Sequence, residues 1–206
     1  MKKSDYIPKD GRVRITGGKY RGRYIDAPGA GTHPMGERER LALFNMLGDE
    51  VKGAYILDAY AGGGTLGFEA LSRGADDVIF IEKNPRACRV LFNNGDKLKV
   101  PDWAGPFCGD VEEFLPMMTD RFDIILMDPP YDKFHPKMVD KLRSVLQFGG
   151  KLVVSHPNEP VEIDGLTILK TSKYAKAHIT IYVRDEDDRN DGMTDEELYW
   201  LLHEYD

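Results

Sequence analysis

A run of four residues, Asp128-Pro129-Pro130-Tyr131, follows the apolar stretch FDIILM at 122–127. The Asp128 carboxylate and the Pro129 carbonyl offer two hydrogen-bond acceptors, and the two prolines keep the backbone there stiff. The Tyr131 ring offers a face on which a flipped base can stack. Two fixed acceptors match the two N–H bonds of an exocyclic amino group on a nucleobase, whose nitrogen lone pair is otherwise delocalised into the ring. The motif therefore predicts a site that prepares such a nitrogen for methyl transfer, a reaction that depends mainly on positioning.

A second group of residues predicts a cofactor site. The segment DAYAGGG at 58–64 lies between an apolar strand and a helix, and its glycines let the backbone approach a ligand closely. Glu82 ends the next strand, where it can accept hydrogen bonds from the hydroxyls of an adenosine ribose, and Asp110 can accept from an adenine amino group. No G-K-[ST] triplet follows the glycines, so a phosphate cradle is not indicated. Three acids around one glycine loop favour S-adenosylmethionine, a cationic ligand without phosphate, over a dinucleotide.

Strands and helices alternate around these motifs. Apolar runs in AYILDAY, DVIFIE, FDIILMD and KLVVSHP predict strands, with a short strand ending at Asp110. Helices are predicted between them, one capped by Asn84 with Pro85 at its first position and another over 136–150. LTILKTSKY and HITIYVR predict a closing antiparallel pair. The pattern is typical of an α/β fold with a mostly parallel sheet covered on both faces, whose ligands bind beyond the carboxyl ends of the strands.

The two ends of the chain carry opposite charge. Residues 1–24 carry a net charge of +6 and residues 185–206 a net charge of -9, within a total of -7. In RVRITGGKYRGRYIDAP the residues Val13 and Ile15 alternate with arginines, and Gly17-Gly18 supplies a turn, so we expect a basic β-hairpin with a return strand over 20–25. Such a hairpin can meet phosphate although the whole chain is acidic.

Composition excludes some classes of protein. Hydrophobic residues make up 41% and charged residues 31%, as in soluble globular proteins. The sequence shows neither an apolar stretch of membrane-spanning length nor a secretory signal pattern, which predicts a cytoplasmic protein without a membrane partner. No interface signal stands out in the sequence, so we expect a monomer. Cys88 and Cys108 lack metal-like spacing, so no metal site is expected, and we expect both to be reduced, mostly buried thiols.

Several segments together resemble one family. D-P-P-Y is similar to the [DNS]-P-P-[YFW] motif of methyltransferases that act on amino groups of nucleic acid bases. DAYAGGGTLGFEALSRGA resembles the first motif of the RsmD family, bacterial methyltransferases of guanine N2 in small-subunit (16S) ribosomal RNA. RITGGKYRGRYIDAP, ERLALFNML and KYAKAHITIY resemble the hairpin, the helix before the core and the closing hairpin of that family. The resemblance spans residues 12 to about 184.

The resemblance implies a Rossmann-like class I fold that binds S-adenosylmethionine, with a mostly parallel seven-stranded sheet, an antiparallel C-terminal hairpin and an N-terminal β-hairpin extension. We divide the chain into a basic RNA-binding segment (1–30), a methyltransferase domain (31–184) and an acidic tail (185–206). The tail is not part of the family pattern, and in it Thr194 and Glu197 predict the cap of a short helix. The resemblance places the target guanine at Asp128, Pro129, Pro130 and Tyr131. It implies cofactor contacts from Asp58, Ala59, Tyr60, Ala61, Gly62, Gly64, Glu82, Lys83, Asp110, Val111 and Asp128. It implies RNA contacts from Arg12, Arg14, Lys19, Tyr20, Arg21 and Arg23, and small-subunit rRNA in an assembling particle as the partner.

The chain departs from the family pattern at a few positions. His33-Pro34-Met35 stands where the family has an arginine before a Pro-Thr pair, Gly63 replaces a serine, and Ala175 replaces a glycine. Three rival functions stay open beside rRNA methylation: a DNA N6-adenine or N4-cytosine methyltransferase, a non-catalytic rRNA-binding assembly factor on the same fold, and a nucleotide-dependent oxidoreductase. The missing phosphate loop disfavours the last, and the basic hairpin favours RNA over DNA.

Overall fold

A computed structural model describes residues 11–29, 34–119, 121–174 and 177–186 of the chain. Its strands are β1 Arg12–Arg14, β2 Tyr24–Asp26, β3 Tyr55–Asp58, β4 Asp77–Glu82, β5 Phe107–Cys108, β6 Phe122–Met127, β7 Leu146–His156, β8 Leu166–Tyr174 and β9 Ala177–Arg184. Its α-helices are α1 Glu37–Leu47, α2 Thr65–Ser72, α3 Pro85–Leu98, α4 Val111–Phe114 and α5 Pro136–Arg143.

In the described ranges, seven strands form one sheet in the order β5-β4-β3-β6-β7-β9-β8, and β1 and β2 form a separate antiparallel pair. β3 pairs in parallel with β4 and β6, as do β4 with β5 and β6 with β7. β9 lies antiparallel between β7 and β8. The mostly parallel α/β sheet with an antiparallel C-terminal hairpin is therefore confirmed.

The direction of chain progression reverses at β3, which has β4 on one side and β6 on the other. A crevice opens beyond the carboxyl ends of the strands at such a switch point. The register places Asp58 level with Phe80 of β4 and Leu126 of β6. Glu82 and Asp128 therefore each stand two residues beyond that level, at the same edge of the sheet. We call this edge the rim.

Apolar side chains cover both faces of the sheet because the parallel strands carry apolar residues at nearly every position. One face packs against the β1–β2 hairpin and helices α1, α2 and α3, with buried residues that include Ile25, Phe44, Phe68 and Leu91. The other face packs against α4 and α5, with buried residues that include Val111, Val139 and Leu142. The hairpin thus shares a hydrophobic core with the sheet.

Glu69 of α2 joins the hairpin to the helices. Its fully buried carboxylate accepts hydrogen bonds from the backbone N–H of Thr16 at 2.9 Å and of Gly17 at 2.8 Å. It also forms ion pairs with Arg40 of α1 at 3.2 Å and with Arg73 at 2.9 Å. Burial alone would raise the pKa of Glu69, but the bonds from Thr16 and Arg73 and the charge of Arg40 outweigh it and lower that pKa.

Two predicted elements are shorter than expected. The return strand of the hairpin begins at Tyr24, because residues 19–22 are used by the turn. The helix expected over 136–150 ends at Arg143, and Leu146 begins β7 by pairing with Phe122. The predicted helix contained Gly149, whose φ of +71° is foreign to a right-handed helix.

The prediction of two reduced, mostly buried thiols is wrong. Cys88 and Cys108 form a disulfide with their Cα atoms 5.9 Å apart, and Cys108 is exposed. Cys88 lies in the first turn of α3, and Cys108 lies in β5, the neighbour of the strand that leads into α3. This adjacency arises from strand order, which a separation of 20 residues in sequence does not reveal.

Some expectations fall outside the described residues: the helix cap at Thr194 and Glu197, and the departures at His33 and Ala175. In the part of the chain that is described, no helix combines the length and apolarity needed to span a membrane.

Candidate active site at the carboxyl ends of the strands

The glycine loop between β3 and α2 is shaped by close contacts. Gly64 precedes the first residue of α2 and has a φ of +84°. A Cβ at Gly64 would lie 2.4 Å from the Phe68 ring and 2.5 Å from Leu91, so only glycine fits. The backbone N–H of Ala61 donates to the Ile81 carbonyl at 2.9 Å, which ties the loop to β4. At Gly62, by contrast, nothing lies within 4 Å of the position of a Cβ, so the loop backbone is open there.

Gly63 lies against the end of the β-hairpin. A Cβ there would lie 2.9 Å from the Asp26 carbonyl oxygen and 3.0 Å from Pro28 Cδ. The Asn94 side chain of α3 donates to the carbonyls of both Gly63, at 2.8 Å, and Asp26, at 2.9 Å. The serine that the family pattern has at this position would not fit unless the hairpin shifted, which explains why this chain carries glycine.

Asp58 ends β3 beneath the glycine loop, with 1% of its surface exposed. One carboxylate oxygen accepts a hydrogen bond from the backbone N–H of Gly67 at 2.9 Å. Burial raises the pKa of Asp58 to about 7, against the effect of the Gly67 bond, and the charges of Asp128 and Glu82 raise it further. A cationic ligand group near this carboxylate would relieve the cost of its charge.

Glu82 and Asp110 complete the acidic side of the rim. Glu82 accepts hydrogen bonds from the backbone N–H of Gly62 at 2.7 Å and of Asn84 at 2.6 Å, so it holds the glycine loop against the start of α3. Asp110 caps α4 by accepting from the Glu112 N–H at 3.1 Å. It also forms an ion pair with Lys83, and this hydrogen bond, followed by that from Glu112, keeps the pKa of Asp110 below its usual value.

The remaining predicted cofactor residues line the same end of the sheet. Ala59 and Ala61 are buried, and Val111 is 3% exposed beside Asp110. Tyr60 is partly buried, and burial, with smaller contributions from Asp110 and Glu112, raises the pKa of its phenol to about 12. Tyr60 is therefore a neutral hydroxyl at any physiological pH.

The Asp128–Tyr131 segment follows β6 beside this loop. Asp128 is partly buried, Pro129 is buried, and Tyr131 is 39% exposed. Burial raises the pKa of Asp128 to about 6, although a hydrogen bond from Ser155 opposes the shift. Burial, followed by the charge of Asp128, also raises the pKa of Tyr131. At neutral pH the site therefore holds an anionic carboxylate beside a neutral, partly exposed phenol.

Ser155 is a site residue that the sequence interpretation missed. It lies on β7, is 2% exposed, and its Oγ lies 3.0 Å from the Tyr131 hydroxyl. A polar residue near the end of the apolar run KLVVS, on the strand that pairs with β6, was the available signal.

The predicted RNA-binding residues do not all lie at the rim. Arg12 pairs in register with Asp26, which contacts the glycine loop through Asn94, so this end of the hairpin is near the rim. Lys19 lies at the other end, where its backbone N–H donates to the Ser72 carbonyl at the last residue of α2. Since α2 begins at the rim, its length of about 12 Å separates the two ends of the hairpin.

Two of these residues have structural roles. Tyr20 is a correction to the prediction: it is 5% exposed and packs in the core, so its ring is not accessible for base stacking. Arg23 donates to the carbonyls of Leu98 at 2.9 Å and Lys97 at 2.5 Å, and so satisfies the last turn of α3. Arg14 is exposed but pairs with Glu37 of α1 at 2.5 Å. Lys19 and Arg21 are exposed in the turn.

Comparison with known proteins agrees with this architecture. The family model described as "Conserved hypothetical protein 95" matches residues 13–183. YlbH of Bacillus subtilis is 30% identical over 181 residues, which cover 82% of this chain and 98% of YlbH. The Ribosomal RNA small subunit methyltransferase D of Haemophilus influenzae is 35% identical over 150 residues, 71% of this chain and 76% of that protein. The solved structure of Escherichia coli yhhF has a TM-score of 0.77 at 29% identity, covering 85% of this chain and 99% of that one. The resemblance is confirmed: the chain belongs to the RsmD family of methyltransferases.

Proposed function

We propose that this chain transfers a methyl group from S-adenosylmethionine to the exocyclic N2 amino group of a guanine in small-subunit (16S) ribosomal RNA. The observation that carries the proposal is the partly buried Asp128 carboxylate, followed by Pro129 and a half-exposed tyrosine, beside a glycine loop at the switch point of the sheet. Membership of the RsmD family supports the ribosomal substrate, and similarity to the Ribosomal RNA small subunit methyltransferase D of Haemophilus influenzae supports the small subunit.

The residues of the rim fit S-adenosylmethionine. Asp58 would hold its ammonium group, Glu82 its ribose hydroxyls, and Asp110 its adenine amino group. The residues around these three acids are Tyr60, Lys83 and Val111. Asp58 is buried with a raised pKa, which favours a cationic ligand over an anionic one. When bound, S-adenosylmethionine supplies an electrophilic methyl group on a positively charged sulfur.

The chain's own residues prepare the nucleophile. The Asp128 carboxylate accepts one N–H of the guanine amino group, the Pro129 carbonyl accepts the other, and Tyr131 stacks on the base. These bonds favour a pyramidal nitrogen whose lone pair is free to attack. Transfer of the methyl group would make this nitrogen acidic, and Asp128 would accept its proton and pass it to solvent. Because the pKa of Asp128 is about 6, the carboxylate is mostly ionised at neutral pH.

The exposed basic residues of the hairpin provide the RNA surface in this proposal. Arg12 and Arg14 lie near the rim, and Lys19 and Arg21 lie at the far end of the hairpin, so a strand can follow the hairpin away from the catalytic site. Arg23 and Tyr20 hold the hairpin in place. The proposed substrate is the assembling small-subunit particle, and the proposed active form is a cytoplasmic monomer.

The direct test is mass spectrometry of rRNA nucleosides from cells with and without the gene. We expect one N2-methylguanosine of the small subunit to disappear on deletion; persistence of every such nucleoside would refute the substrate.

In vitro, Asp128→Ala should abolish turnover and leave S-adenosylmethionine binding measurable by calorimetry. Methylation of duplex DNA but not of RNA would favour the DNA methyltransferase, and rRNA binding without cofactor binding would favour the assembly factor. Parallel assays on naked rRNA and on small-subunit particles test the particle, and sedimentation tests the monomer.

A further inference from the structure

Ser155 occupies a position that links the two ends of the D-P-P-Y motif. Val154 of β7 is level with Met127 of β6, so Ser155 stands beside Asp128 across the parallel pair. Its Oγ lies 3.0 Å from the Tyr131 hydroxyl, and its hydroxyl lowers the pKa of the Asp128 carboxyl against the effect of burial. Since Ser155 is 2% exposed, water has little access to replace either bond. One buried hydroxyl therefore stands between the proposed acceptor and the proposed stacking residue.

The direction of these hydrogen bonds follows from the number of protons available. An ionised carboxylate only accepts, so the Ser155 hydroxyl donates its single proton to Asp128. That proton is then used, and the Tyr131 hydroxyl must be the donor to Ser155 Oγ. The resulting chain runs from Tyr131 through Ser155 to Asp128, and each bond polarises the next. Protonation of Asp128 removes the acceptor that sets this direction.

We propose that Ser155 is a positioning residue for methyl transfer, which keeps the Asp128 carboxylate ionised and fixes the rotamer of the Tyr131 ring. The inference rests on the proposed function, in which Asp128 accepts a hydrogen bond from the amino group. It also gives the tyrosine hydroxyl a role that stacking alone does not require. Tyr131→Phe would keep the stacking face and lose the first bond of the chain.

The first test measures the Asp128 carboxyl directly and needs no RNA. Protein labelled with ¹³C at the aspartate carboxyl carbon is titrated by NMR, and Asp128→Asn assigns the signal. The wild-type signal should titrate near pH 6, and Ser155→Ala should move it upward by about one pH unit, the scale of one hydrogen bond to a charged group. Tyr131→Phe should move it in the same direction by less, without any change in β7. Ser172→Ala, which removes a hydroxyl from β8 of the same sheet, should leave it unchanged.

The second test is the pH profile of methyl transfer from labelled S-adenosylmethionine to small-subunit RNA. The acid limb of the Ser155→Ala profile should move upward by the shift measured in the NMR titration, with an unchanged KM for S-adenosylmethionine. Equal Asp128 titration in wild type and Ser155→Ala would overturn the role of Ser155, whatever the substrate. Wild-type protein that shows the titration shift but methylates no rRNA would instead overturn the proposed function.

Discussion

The most direct consequence of the site's electrostatics is that Asp58 destabilises the ligand-free protein at neutral pH. Its carboxyl is 1% exposed, and its pKa rises from 3.8 to about 7 on folding. The folded state therefore favours the protonated acid. The free energy of unfolding is highest below pH 4, where the acid is protonated in both states, and it falls as the pH rises towards 7. A pKa shift of this size lowers the free energy of unfolding by about 4 kcal/mol above pH 7, compared with its value below pH 4. Between pH 5 and pH 8 the decrease is about 2.5 kcal/mol.

Asp58→Asn removes the titrating group but keeps an oxygen that can accept from the Gly67 N–H. We expect the difference in unfolding free energy between Asp58→Asn and wild type to grow in favour of the variant by about 2.5 kcal/mol from pH 5 to pH 8. Any fixed cost of the amide cancels in this comparison.

Urea denaturation of the ligand-free proteins at pH 5, 6, 7 and 8 measures this difference. Asp140→Asn, which changes an exposed carboxylate on α5, is the matched control and should give a nearly constant difference. Calorimetry should show at least about tenfold weaker binding of S-adenosylmethionine to Asp58→Asn, because one charge-assisted bond to the ligand is lost. Parallel stability curves for wild type and Asp58→Asn across this pH range would refute the reasoning.

Three further outcomes follow from contacts outside the catalytic motif. Glu69→Gln leaves the buried Arg40, 1% exposed, without its counter-charge, so it should lower the free energy of unfolding, measured in urea, by about 3–5 kcal/mol. The control Glu112→Gln, which breaks an exposed ion pair, should change that free energy little. Arg21→Glu should flatten the slope of log affinity for single-stranded rRNA against log salt by about 0.7 in filter binding; an equal effect of Lys170→Glu on β8 would show that the hairpin is not special. Reduction of the Cys88–Cys108 disulfide should lower the unfolding free energy by about 3 kcal/mol, and a Cys88→Ser/Cys108→Ser double variant should be insensitive to the reductant.

The sequence by itself determined the features that depend on neighbours along the chain. Alternating apolar strands and amphipathic helices predicted the parallel sheet, and Asn84-Pro85 predicted the start of α3, where the Asn84 side chain accepts from the N–H groups of Arg86 and Ala87. The carboxyl-end rule then placed the glycine loop and Asp128 on one rim, because every parallel strand presents the same end there.

Only the tertiary structure decided which residues meet across strand and helix boundaries. Ser155 became part of the site because β7 pairs with β6, and Cys88 met Cys108 because β5 lies next to β4. Tyr20 entered the core, and Arg23 turned to the end of α3, because the hairpin packs along the helices. The basic and aromatic residue types of the hairpin do not show whether a given side chain faces water or packs against a helix end. Those distinctions depend on contacts between residues tens of positions apart, which local patterns do not encode.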